Sequence, residues 1–67
     1  MRDIDVINAV YEELQALRML DLVPAVVELG DQEYEAAQQP RTMFGLPVRH
    51  VAGKQGVTVL GTEPPGG

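Results

Sequence analysis

From Pro24 to Leu60 the chain reads PAVVELGDQEYEAAQQPRTMFGLPVRHVAGKQGVTVL, a compact run in which strand, short-helix, strand, turn and strand signals follow in close order. Ala25, Val27 and Leu29 alternate with Val26 and Glu28, the period of two that lets a strand bury one face. Gly30 ends that strand, and Asp31 has the chemistry of an N-cap for a helix through Gln39. On it Tyr34 and Ala37 share a face at i and i+3, and Pro40 stops continuation. Thr42 to Ala52 is rich in strand formers, but Gly45 and Pro47 make it irregular near Leu46 and confine it to an edge, a bulge or a strand end. The following AGKQG, with two glycines around a polar pair, predicts a hairpin loop leading into a last strand at Val57–Leu60.

Ahead of this block the period is helical. Ile7, Val10, Leu14, Leu17 and Leu20 recur every three or four residues, while Glu12, Glu13, Gln15 and Arg18 fall mostly on the other side. The spacing predicts a helix over residues 3–21, with Asp3 capping its first turn, Asp5 adding charge near the positive end of the dipole, and Pro24 limiting its far end. The whole reads as an α+β fold in the order α-β-α-β-β: a long N-terminal helix packed on a small three-stranded mixed sheet, with a short second helix. The short helix carries a right-handed crossover between parallel strands, and the last strand returns antiparallel. Residues 1–61 are expected to form one domain, and residues 62–67 a flexible tail with nothing apolar to bury. One sheet face or edge is left open, and a partner is expected there.

With 67 residues the core is small. The chain has no cysteine, so neither a disulfide nor a thiolate metal site can brace it, and self-association or docking becomes the expected supplement. Its apolar runs are too short to cross a bilayer. The opening MRDIDVIN carries charges where a secretory signal needs an unbroken apolar run, so a cytoplasmic setting is expected. A net charge of −5 repels a phosphate backbone and argues against nucleic acid as a partner. The same acidity serves solubility, or a surface that meets a basic protein.

No pattern for chemistry emerges. His50 is the only histidine and has no cysteine or second histidine to complete a metal site or a nucleophilic pair. Glu33 and Glu35 stand two apart and cannot share a helix face. The GKQG run lacks the spacing and the Ser or Thr of a phosphate-binding loop. No catalytic, cofactor-binding or metal-binding residues are assigned, no cofactor is expected, and the chain is read as a non-enzyme. Aromatic, Met and Arg side chains favour interfaces, which singles out Tyr11, Met19, Met43, Phe44 and Arg49. Each of these also suits a core position, Phe44 above all. Gly66 and Gly67 match the exposed diglycine of ubiquitin-like and sulfur-carrier proteins, but those families open on a hairpin and this chain opens on a helix.

The order PAVVELGDQEYEAA, TMFGLPVRHV, GVTVLG over residues 24–61 resembles the strand, short-helix and hairpin block near the end of tailed-phage major capsid proteins, chiefly at Gly45, Leu46, Pro47, Val48 and the turn before Val57. The chain is too short for a shell subunit. The resemblance implies a small phage or prophage protein, an accessory piece of the virion or a product that binds a host factor. The expected function is a protein-interaction module that binds a protein partner or its own copy. An acidic inhibitor of a basic complex is the alternative, and a carrier using the Gly-Gly tail a more distant one.

Overall fold

The computed structural model describes residues 5–65. The element order is α1 (Val6–Met19), β1 (Val23–Leu29), α2 (Asp31–Ala36), β2 (Thr42–Met43), β3 (Leu46–His50) and β4 (Val57–Thr62). The class is α+β, as expected, but the sheet has four strands rather than three, in the order β2-β3-β1-β4.

Helix α1 starts one turn later than its apolar spacing predicts. Asp5, rather than Asp3, is the N-cap: its carboxylate accepts from the Asn8 amide at 2.9 Å, satisfying one of the orphan donors of the first turn. Asp3 lies outside the described residues. The helix ends at Met19 through a left-handed residue, Asp21 (φ 59°). The Leu22 amide donates to the Leu17 carbonyl at 2.9 Å and the Asp21 amide to Arg18 at 3.0 Å, a Schellman closure that ends the helix ahead of Pro24. Helix α2 closes the same way, with Gln39 N–H to Tyr34 O at 2.8 Å and Gln38 N–H to Glu35 O at 3.0 Å. It therefore stops at Ala36, short of Pro40.

Strand β1 is central. It runs parallel to β3 (Val27 opposite Val48, Leu29 opposite His50) and antiparallel to β4 (Val27 opposite Val59, Leu29 opposite Val57). Opposed residues share a face, so Val27, Leu29, Val48, His50, Val57 and Val59 look one way. Both helices pack on that side: Val6 and Val10 of α1 are buried with Val27, Leu29 and Val59, and Tyr34 of α2 and Ala37 at its C-cap pack against this cluster. No described helix covers the opposite face, which carries Val26, Glu28, Arg49, Thr58 and Leu60.

Three expectations need correction. Ala25 does not share the buried face with Val27 and Leu29. A register irregularity between Pro24 and Val26 makes it the extra residue of a bulge, and it is exposed. The Thr42–Ala52 segment is two strands, because it folds back at Phe44–Gly45 and pairs Met43 with Leu46 and Thr42 with Pro47. Finally, β3 and β4 are not a hairpin. The loop between them straddles the end of β1: the Val51 amide donates to Leu29 O at 3.0 Å, Gly30 N–H to Gly56 O at 3.0 Å and Asp31 N–H to Lys54 O at 3.3 Å. The last strand is thereby delivered to the far side of β1.

Candidate functional site

The apolar arc of α1 is wider than the core needs. Val6 and Val10 face the sheet, whereas Ile7 and Tyr11, one turn apart, are turned aside and are 65% and 50% exposed. This corrects the expected stripe, in which Ile7 was a core position. Leu20, from the same stripe, is also exposed at the end of the helix. Leu14 and Leu17 do pack against the core as expected.

Beside α1 runs a groove made of two hollows. One, of about 340 Å³, is lined by Tyr11, Leu14, Arg18, Pro24, Phe44 and Leu46. The other, of about 330 Å³, is lined chiefly by Asp5, Ile7, Ala37, Pro40 and Met43. They share no lining residue but follow one another along the chain: Ile7 lines one and Tyr11, a turn further on, the other, as do the consecutive Met43 and Phe44. The middle of the groove is apolar, with Arg18 at one end and Asp5 at the other.

Phe44 is the unusual residue. It and Gly45 form a two-residue loop with φ values of 54° and 77°, the double positive φ of a type I′ hairpin turn. Such a turn prefers Asn-Gly. Phenylalanine there carries a backbone cost of about 1–2 kcal/mol, yet the residue is 51% exposed and so recovers little of that from the core. The expectation that Phe44 is core is therefore overturned.

Of the five interface candidates, the structure brings Tyr11, Met43 and Phe44 to this groove. Met19 is 88% exposed at the end of α1. Arg49 lies on the opposite sheet face, where its guanidinium approaches the Glu28 carboxylate at 3.7 Å. That pair is solvent-facing on the arginine side and contributes little stability. Ile7 and Arg18 are groove residues that the sequence reading assigned elsewhere, Ile7 to the core and Arg18 to the solvated helix face.

A second cluster sits at the C-terminal end of β1. His50 Nε2 lies 2.6 Å from Asp31 Oδ1, the Gly53 amide donates to Asp31 Oδ2 at 3.1 Å, and the Tyr34 ring stacks on the imidazole at 4.5 Å between centroids. Asp31 is thus not the helix cap: Gly30 occupies that position without a side-chain bond, and the Asp31 carboxylate turns outward to the β3–β4 loop. The His50 bond, then the Gly53 amide, hold its carboxyl below the usual aspartate range. Sequence distance hid this pair, because only the parallel register that sets His50 opposite Leu29 brings it beside Asp31. No hydroxyl or thiol group among the described residues is hydrogen-bonded to it, and no three His, Cys, Asp or Glu side chains among them are placed to hold a metal ion. What the cluster does is join the start of α2, the end of β3 and the loop after it.

The fold and groove define a small α+β domain with both helices on one face of a mixed sheet. Comparison with protein-family models, curated proteins and solved structures gives no match. Among the described residues no helix is long and apolar enough to cross a membrane.

Proposed function

We propose that this chain is a non-enzymatic protein-interaction module whose working surface is the groove between α1 and the β2–β3 turn. The observation that carries this reading is Phe44. An aromatic ring held at positive φ and left half-exposed is a local sacrifice of stability, and such outliers concentrate where a surface is used. Around it Ile7, Tyr11 and Met43 supply the aromatic and flexible apolar area that partners bury at the centre of an interface. The resemblance of residues 24–61 to a capsid-protein block favours a phage or prophage accessory role, in the cytoplasm or on the particle.

The test is site-directed photocrosslinking in the cells that make the protein. A photoreactive phenylalanine analogue at position 44 is expected to form a discrete protein adduct, while the same group at Glu12, on the solvated side of α1, is not. Equal labelling from both positions, or none from 44, would refute the groove as the binding surface.

A further inference from the structure

Resting on that reading of the groove, we infer that its occupant is a second copy of this chain, docked with α1 against α1 in antiparallel order about a two-fold axis. The charge layout selects this arrangement. The groove is apolar along its middle and closed by Asp5 at one end and Arg18 at the other, and Arg18 is the only basic residue of α1. An antiparallel copy sets each Arg18 beside the partner's Asp5, satisfying both ends at once. A parallel copy would set arginine on arginine and aspartate on aspartate. The midpoint between residues 5 and 18 falls beside Tyr11, so the two tyrosines meet near the axis, with Ile7 and Phe44 flanking them. An isologous contact of this kind closes on itself and does not propagate into filaments.

Size and need agree with the charges. A stable interface takes about 800 Å² from each partner, roughly a sixth of the 4929 Å² surface, and Tyr11 and Phe44, each already about half buried, can contribute about 75–125 Å² apiece of that. Ile7, Tyr11, Met43 and Phe44 with the Arg18 stem form the apolar centre of such a contact, and the rim of the groove around them must supply the rest of its area. The monomer has five buried apolar side chains among its described residues and no cysteine, so it is the kind of small domain for which association supplies stability. With a net charge of −5 per chain, copies repel at long range. A pair of Arg18–Asp5 contacts places cations where the surfaces meet.

Sedimentation equilibrium of the full chain from about 1 to about 500 µM tests this directly, with a dimer as the expected species. Arg18→Asp and Asp5→Arg each put like charges at both ends of the interface and are expected to weaken self-association about tenfold or more. An equimolar mixture of the two restores both opposite-charge contacts and should recover a heterodimer near wild-type affinity. Asp5→Arg also removes the α1 cap, so helicity by circular dichroism accompanies it, and Tyr11→Lys, which leaves the cap intact, must likewise give monomer. A wild-type chain that stays monomeric at about 500 µM, single variants that dimerise unchanged, or a mixture that fails to recover with both chains folded would each overturn the inference. If the wild type is monomeric while position 44 crosslinks to a different protein, the self-docking inference falls and the interaction-module reading stands. If it is monomeric and position 44 crosslinks to nothing, both fall.

Discussion

Gly30→Ala is the substitution whose effect follows most directly from the geometry. Gly30 has φ −75° and ψ −179°, extended values that alanine adopts freely, so no backbone strain accompanies the change. The cost comes from space. A Cβ at this position would stand 2.2 Å from the Lys54 carbonyl oxygen and 2.8 Å from Glu33 Oε1, a buried oxygen with no hydrogen-bond partner. The loop must retreat by about 1.2–1.8 Å to reach ordinary van der Waals separation. Such a retreat stretches the Gly30–Gly56 and Asp31–Lys54 bonds, now 3.0 and 3.3 Å, beyond useful range. At about 1 kcal/mol for each, with a further share from the Asp31–Gly53 contact, the loss is about 2–4 kcal/mol. A domain of this length holds about 3–10 kcal/mol in total, so the variant should be near its unfolding threshold at room temperature. Urea unfolding followed by far-UV circular dichroism at one protein concentration measures it. The internal control is Gly53, which has φ +80° and nothing within 4 Å of an added Cβ. There Asn, tolerant of the left-handed region, should be nearly silent, whereas Gly30→Asn should be as damaging as Gly30→Ala. A Gly30→Ala midpoint equal to wild type would show that the β3–β4 loop does not press on β1.

Phe44→Asn converts the turn to Asn-Gly; it should raise monomer stability by about 0.5–1 kcal/mol while weakening self-association, so the urea midpoint, taken at a concentration where both chains are monomeric, should rise while sedimentation shows a weaker dimer. Leu29→Ala removes one of the fully buried side chains and should cost about 2–5 kcal/mol by urea titration. Because the Asp31 carboxyl is lowered in the folded state by His50 and the Gly53 amide, its contribution is present above the unfolded aspartate pKa and is lost as pH falls through the folded value. Asp31→Asn should therefore flatten the fall in stability below about pH 4, read as the urea midpoint against pH.

Local signals in the sequence were sufficient for most elements and insufficient for how they meet. The period of α1, the Val27–Leu29 alternation and the parallel placement of β1 and β3 are all legible, because each depends on nearest neighbours or on a crossover of the right length. The hairpin expectation for AGKQG failed since glycine-rich loops of that length serve a tight turn and a passage over a strand end equally well. What separates them is Gly30, whose missing side chain makes room for Lys54, and nothing near Gly53 encodes that. Ile7 illustrates a second limit. An apolar arc running from Val6 round to Tyr11 has two sides, and periodicity cannot say which one the sheet will occupy. The groove was legible in part: Tyr11, Met43 and Phe44 stand out by residue type, whereas Arg18 reads as an ordinary solvated charge until its place at the groove's end is seen.

The central position of β1 also governs the order of events during synthesis. Its first residue, Val23, is opposite Thr62, so a nascent chain cannot complete the middle of its sheet until the ribosome has released residues through that point. The sheet cannot close before the last strand is available, and until then Val27 and Leu29 lack Val59 and Val57, the neighbours that flank them in the finished fold.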